Sequence, residues 1–467
     1  MVDGKKPDRS GHQPQAIGHQ PSFEDMATVS LIALGCPKNT IDAEEILGAV
    51  EKAGHEIVSD PARAEVLIVN TCGFIRSAKE ESIEAVLDAV RYKTNGACRS
   101  VIVTGCLAQR YSAELADEIP EADAFLGLKE SRDIEQAISR TLSGERLVLV
   151  GEPSAWWVAG GDRVLSTPPW TAYLRIADGC DNRCSYCAIP SIRGGFRSRP
   201  ERDILDEARA LADSGVRELN LVAQDITRYG MDTGGPQRLP ALLERLSGIE
   251  GIRWIRLLYC YPTRVSDELI RAIAENEKVC KYIDVPLQHC SDRILRAMNR
   301  QGSKREYVDL FARIRELCPD AALRTTFIVG FPGETDDEFE ELMDFVREVR
   351  FDRAGVFCYS EEEDTPAALL PGKVNRRTME ARFRGLMDLQ REISLERNKS
   401  LVGKRIEVLV EDVRGKSVIG RSYRDAPDID GLVYIEGSKG LRPGDFATVE
   451  IIEARDYDLI AHPAENG

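Results

Sequence analysis

The sequence predicts an α/β protein built in three parts. These are an N-terminal parallel α/β unit, a central partial (β/α)6 barrel, and a small antiparallel β-barrel at the C-terminus. Three observations carry this prediction. The chain has 467 residues, room for about three domains at roughly 150 residues each. Strand-like and helix-like segments alternate through two separate runs, the pattern of parallel sheets covered on both faces. Beyond residue 402 the alternation gives way to short strands separated by Gly-rich turns.

In chain order, residues 1–27 read as a disordered tail rich in Gly, Pro, Gln and His. They lack the apolar stretch of a signal peptide, and Met26 is an alternative start. Residues 28–150 form the first alternating unit, with strands at Thr28–Leu34, Val66–Asn70, Val101–Thr104 and Asp123–Leu128. Helices follow at 42–52, 77–91, 107–117 and 134–142. Residues 151–170 read as a linker containing Trp156 and Trp157 and ending in Pro168-Pro169. Residues 171–376 carry six strand–helix units, whose chemistry belongs at the carboxyl ends of the strands. Residues 377–402 read as a charged connecting helix, and 403–463 as the small barrel.

The net charge of −16 lowers the expectation of duplex binding, which needs a basic face, and suits a basic protein partner. No run approaches the ~18 apolar residues of a membrane span, so no membrane partner is expected. Twelve cysteines in a chain without a secretory signal point to a reducing cytoplasm and to metal or redox chemistry. Cys98, Cys260, Cys280, Cys290, Cys318 and Cys358 sit in apolar segments and read as core.

Cys180, Cys184 and Cys187 spell CxxxCxxC on a loop that follows a barrel strand. Three thiolates so spaced can hold three irons of a [4Fe–4S] cubane, leaving the fourth iron open to chelate S-adenosylmethionine. A zinc site and three buried structural cysteines are the alternatives, but structural zinc wants four ligands, no histidine or fourth cysteine lies nearby in sequence, and a polar loop is a poor place for buried cysteines. Cys36, Cys72 and Cys106 share no spacing. Each instead follows a strand directly, and the carboxyl ends of parallel strands meet along one edge. A second cluster, small core residues and a redox pair all fit that placement.

Five segments then make a family resemblance: LGCPKNTIDAE (Leu34–Glu44), NTCGFI (Asn70–Ile75), TGCLAQR (Thr104–Arg110), IADGCDNRCSYCAIPSIRG (Ile176–Gly194) and FIVGFPGET (Phe327–Thr335). With the three-part order, they resemble the methylthiotransferases of the radical S-adenosylmethionine superfamily, whose C-terminal unit is an OB-like TRAM barrel. The resemblance implies two [4Fe–4S] clusters, with metal ligands Cys36, Cys72 and Cys106 for one and Cys180, Cys184 and Cys187 for the other. The latter three are also the catalytic set, since their cluster makes the 5′-deoxyadenosyl radical. One S-adenosylmethionine would methylate a sulfur and a second would supply the radical. An electron donor such as flavodoxin or ferredoxin is implied as well.

Pro286-Leu287-Gln288-His289, the segment Phe351–Ala368 and the opening Gly35–Asn39 are similar to the RimO-type branch. That branch modifies the β-carbon of an aspartate in a basic small-subunit ribosomal protein near the decoding centre; the other branch modifies tRNA adenosine. Residues 401–467 hold nine Lys/Arg against thirteen Asp/Glu, net −4, which favours a basic protein over tRNA phosphates. Glu363-Asp364 before Thr365 departs from the branch pattern and reads as loop variation without chemical effect.

Further cofactor-binding candidates are Tyr186 inside the motif and Gln224, Asp225, Gln288 and His289 at strand ends. Gly330 and Gly333 are candidates as points where backbone can approach a ligand closely. Arg193, Arg197 and Arg199 read as a basic loop that either holds the substrate or is a solvated face.

Overall fold

A computed structural model describes residues 26–153, 163–415, 417–437 and 440–464. Most of the expected tail and the linker tryptophans Trp156 and Trp157 lie outside the described residues. The first unit runs β1 (Thr28–Ala33), α1 (Pro37–Lys52), β2 (Glu56–Ile57), β3 (Val66–Thr71), α2 (Arg76–Asn95), β4 (Ser100–Gly105), α3 (Cys106–Glu118), β5 (Ala124–Leu126), α4 (Ile134–Leu142) and β6 (Leu147–Leu149). All neighbouring strands pair in parallel in the order β2-β1-β3-β4-β5-β6. β3 and β4 are buried along their whole length, which is why they read as unbroken apolar runs. The two- and three-residue edge strands β2 and β6 are too short to leave a period in the sequence.

The central unit begins with β7 (Thr171–Arg175), β8 (Ala177–Asp178), α5 (Ile189–Arg193), β9 (Arg197–Ser198), α6 (Glu201–Asp213), β10 (Glu218–Val222), α7 (Leu239–Ser247) and β11 (Trp254–Leu257). It continues with α8 (Asp267–Glu275), β12 (Val279–Asp284), α9 (Asp292–Ala297), α10 (Lys304–Leu317), β13 (Ala322–Val329), α11 (Asp336–Val349) and β14 (Arg353–Cys358). The six main strands form one parallel sheet, β14-β13-β12-β11-β10-β7, that curves without closing. α12 (Arg376–Lys399), expected as a connector, packs Leu386 and Ile393 into the core of this sheet.

The C-terminal unit holds β15 (Arg405–Arg414), β16 (Ser417–Ser422), β17 (Val433–Ile435), β18 (Phe446–Ala454) and β19 (Leu459–Pro463), closed as β15-β16-β17-β19-β18. It is not wholly antiparallel as expected, because β17 and β19 run parallel. The reason is parity: strand directions cannot alternate all the way around a closed ring of five.

The three units share a core. Ile41 of α1, Tyr173, Val222, Trp254 and Tyr282 of the central sheet, and Leu409 and Ala426 of the C-terminal unit pack together. Beside them Glu218 accepts from both Arg256 and Arg421, all three being fully or almost fully buried. Burial alone would raise the Glu218 carboxyl, but Arg421 and then Arg256 outweigh it and hold it at about 2.

Candidate active site

The ends of β1, β3 and β4 deliver Cys36, Cys72 and Cys106 to one edge of the first sheet. Gly35 (φ +99°) permits the turn after β1; a Cβ there would stand 2.9 Å from the Cβ of Cys72. Gly105 (φ +95°) starts α3 so close to β3 that a Cβ would lie 2.4 Å from the Thr71 carbonyl. Asn39 ties the strand ends together, donating to the carbonyls of Leu34 (3.0 Å) and Thr71 (2.9 Å). Ser82 accepts from the Cys72 N–H and donates to its carbonyl. The Cys106 thiol is pushed up to about 12, first by burial and then by Cys36 and Cys72, while Arg193 pulls it down.

The loop after β8 carries Cys180, Cys184 and Cys187, and it is pinned at both ends. The Cys180 N–H donates to Gly194 O (3.1 Å), and Ser185 donates through its N–H to Met298 O and through its hydroxyl to Ala297 O. Arg300 donates to the Cys184 sulfur at 3.6 Å and to the carbonyls of Leu287 and Pro286. Burial raises Cys187 to about 12 and Cys180 to about 11. Iron must therefore displace protons as it binds.

Both sets line a single cavity of about 540 Å³ between the first sheet and the mouth of the central one. Its size suits a cofactor site. Among the described residues no three thiol, carboxylate or imidazole groups converge on a single-ion site. A cubane asks something different of its ligands, since each thiolate binds its own iron.

Tyr186, Gln224 and Gln288 line the same cavity. Tyr186 packs on Ile294, Met298 and Phe331. Gln224 donates to Asp178 (2.6 Å), and its carbonyl oxygen is buried without a partner among the described residues. Gln288 adopts a left-handed φ of +76°. Other candidates fall elsewhere. Gly330 is absent from the cavity lining, and its φ of +75° and the Met379 side chain, 2.1 Å from an added Cβ, account for the glycine. His289 is buried away from the cavity, accepts from the Ser291 N–H, and is lowered to about 3 by burial. Asp225 holds Asn182 and Arg264.

Of the basic loop only Arg197 is exposed; Arg193 and Arg199 are neither a solvated face nor a free substrate clamp. Arg193 is buried and bridges Asp42 of α1 (2.6 Å) to Asp178 (3.2 Å), with Cys106 at 3.6 Å. Arg199 is buried on Glu207. Arg175 adds pairs to Asp42 and Glu45. Cys260, expected as core, is buried but also lines the cavity, and Cys358 is exposed at the end of an edge strand. The acidic loop is not idle either: Glu362 pairs with Lys79 (2.9 Å) and Arg110 (3.1 Å), and Glu363 accepts from Tyr111. Sequence reasoning passed over Asn39, Asp42 and Arg300 as working residues. Asn39 and Asp42 stand three and six places after Cys36, on one helix face, which was the available signal.

Models of known families cover most of this architecture. The Radical SAM superfamily matches residues 174–346, Uncharacterized protein family UPF0004 matches 28–127, and the TRAM domain matches 402–463. The chain is 52% identical to the ribosomal protein uS12 methylthiotransferase RimO of Pelotomaculum thermopropionicum, over 92% of this chain and 98% of that one. It is 51% identical to the RimO of Desulforamulus reducens, over 94% and 100%. The chain belongs to the RimO-type methylthiotransferase family. It is thus a radical S-adenosylmethionine transferase of the uS12 branch, and the tRNA alternative is not favoured. The same fold occurs in the radical S-adenosylmethionine methyltransferase TsrM of Kitasatospora setae, at a TM-score of 0.53 and 15% identity over 81% of this chain and 79% of that one.

Proposed function

We propose that the protein replaces a β C–H of an aspartate in ribosomal protein uS12 with C–SCH3, using two [4Fe–4S] clusters and S-adenosylmethionine. The observation that carries this reading is the meeting of two three-thiol sets in one cavity. Cys180, Cys184 and Cys187 would hold one cluster, and Cys36, Cys72 and Cys106 the other. When bound, the first supplies the reducing electron that turns S-adenosylmethionine into a hydrogen-abstracting radical, and the second supplies the sulfur.

The chain's own residues bind, orient and shield. The unpartnered Gln224 carbonyl oxygen offers an acceptor for a cofactor amino or hydroxyl group. Tyr186 and Gln288 wall the cofactor side of the cavity, and the Tyr186 ring excludes water beside the loop set. Arg300 and Arg193 each direct an N–H at one sulfur; such hydrogen bonds tune cluster potential. The net −4 charge of the C-terminal unit suits a basic ribosomal protein. Electrons come from an external donor such as flavodoxin or ferredoxin, and the work is done in the cytoplasm. Among the described residues no helix is long and apolar enough to cross a membrane.

The test is anaerobic reconstitution with iron and sulfide, followed by reductant, S-adenosylmethionine and either uS12 or tRNA. Mass spectrometry is expected to find one methylthio group on a uS12 aspartate. Modification of tRNA adenosine instead overturns the substrate.

A further inference from the structure

Four cationic side chains line the cavity: Lys38, Arg193, Arg300 and Arg324. Three are already committed. Arg193 pairs with Asp42 and Asp178, Arg324 with Asp284 and Asp430, and Arg300 donates to two backbone carbonyls and a thiol. Lys38 is different. It is only 8% exposed, and its Nζ lies 3.5 Å from the centre of the Tyr259 ring. Among the described residues it has no carboxylate or carbonyl partner.

Two features show that the fold holds this ammonium at a cost. Lys38 is the second residue of α1, two places after the capping residue Cys36. There the helix dipole disfavours a cation and favours an anion. Tyr259, the platform beneath it, has a left-handed φ of +67°, a conformation uncommon for a side-chain-bearing residue and often found at functional sites. Its N–H is fixed by Asp284 at 2.9 Å. A cation that lines a cavity on an aromatic face, at a helix N-terminus and with no anion beside it, is a site for one anion.

We propose that Lys38 binds the side-chain carboxylate of the substrate aspartate. This rests on the uS12 reading and deepens it by naming the residue that selects aspartate. The site lies two residues from Cys36, beside the dispersed thiol set. A carboxylate there keeps the adjoining β-carbon next to the position from which sulfur is delivered. The methionyl carboxylate of S-adenosylmethionine carries the same chemistry, and the experiment separates the two sources.

The reconstituted holoenzyme would be compared with Lys38→Met and Lys38→Arg variants. The readouts are KM for uS12, affinity for S-adenosylmethionine, iron content, and binding of uS12 and of uS12 with its target aspartate changed to asparagine. Lys38→Met is expected to raise KM for uS12 about 10- to 100-fold, the worth of one charged hydrogen bond. Iron content and S-adenosylmethionine affinity should stay unchanged, and the preference for aspartate over asparagine should vanish. Lys38→Arg should restore part of that preference. An unchanged KM overturns the proposal. So does a loss of S-adenosylmethionine affinity, which assigns Lys38 to the cofactor carboxylate, or a loss of iron, which assigns it to cluster support. If the wild-type enzyme leaves uS12 unmodified, the uS12 reading itself has failed.

Discussion

The two thiol sets reach the same cavity by opposite routes. Cys180, Cys184 and Cys187 lie on one loop, so their separation is limited by chain geometry before any tertiary contact forms. Cys36, Cys72 and Cys106 come from three strands, and only the parallel register of β1, β3 and β4 brings them together. Each set has one buried guanidinium. Arg300 reaches the loop set from its own unit, whereas Arg193 reaches the dispersed set from the neighbouring unit and binds Asp42 on the way. The loop set is thus a local device, and the dispersed set depends on two units staying docked.

The largest expected effect separates the two sets by function. Cys184→Ala should lose about four of some eight irons and abolish deoxyadenosine formation. Cys106→Ala should lose as many irons yet still form deoxyadenosine while methylthio transfer stops. Iron analysis and product chromatography read both, and a Cys184→Ala protein that still made deoxyadenosine would break the assignment.

Next, Arg193→Ala should destabilise the fold by about 1–3 kcal/mol, because it takes one charged partner from the buried carboxylates of Asp42 and Asp178 while Arg175 still pairs with Asp42. It should impair the dispersed set more than the loop set. Denaturant unfolding and cluster absorbance check the two halves of that statement.

A third test concerns the anchoring of the C-terminal unit. The Glu218 carboxyl falls from 4.5 to about 2 on folding, so its contribution is complete above pH 4.5 and is lost as pH drops toward 2. The melting temperature should fall across that window. Glu218→Gln should flatten part of the fall, while taking the shared carboxylate from Arg256 and Arg421, of which Arg421 keeps Glu411, and leaving the protein less stable at neutral pH.

The smallest effect belongs to the acidic loop. Glu362→Gln weakens the contacts to Lys79 and Arg110, at about 1–3 kcal/mol. The same loop touches the loop set, since the Ala367 N–H donates to Ser185 O. Both clusters should survive, but methylthio product per deoxyadenosine should drop a few-fold as the two sets lose their fixed separation.

Much of this was legible in the chain. Buried parallel strands such as β3 and β4 leave unbroken apolar runs, and the CxxxCxxC loop is a local pattern. The convergence of Cys36, Cys72 and Cys106 could be inferred from topology, because carboxyl ends of parallel strands share an edge. Partnership was not legible. Arg193 and Arg199 look like a solvated basic run, yet both are buried on acids that lie far away or nearly two turns into α6. Gly330 looks like a ligand-facing glycine, and Met379 explains it. Lys38 looks like an ordinary surface lysine until every other cation in the cavity is seen to be paired.

The sequence by itself determined the three-unit order, the parallel sheets and the two sets of thiols that line one cavity, because periodicity and strand-end placement are properties of neighbouring residues. Tertiary structure decided which charges are buried, which are paired and which cation, among the described residues, faces the cavity without an anionic partner. Those depend on contacts between residues more than a hundred positions apart, such as Arg193 with Asp42 and Arg421 with Glu218, and no local pattern encodes them.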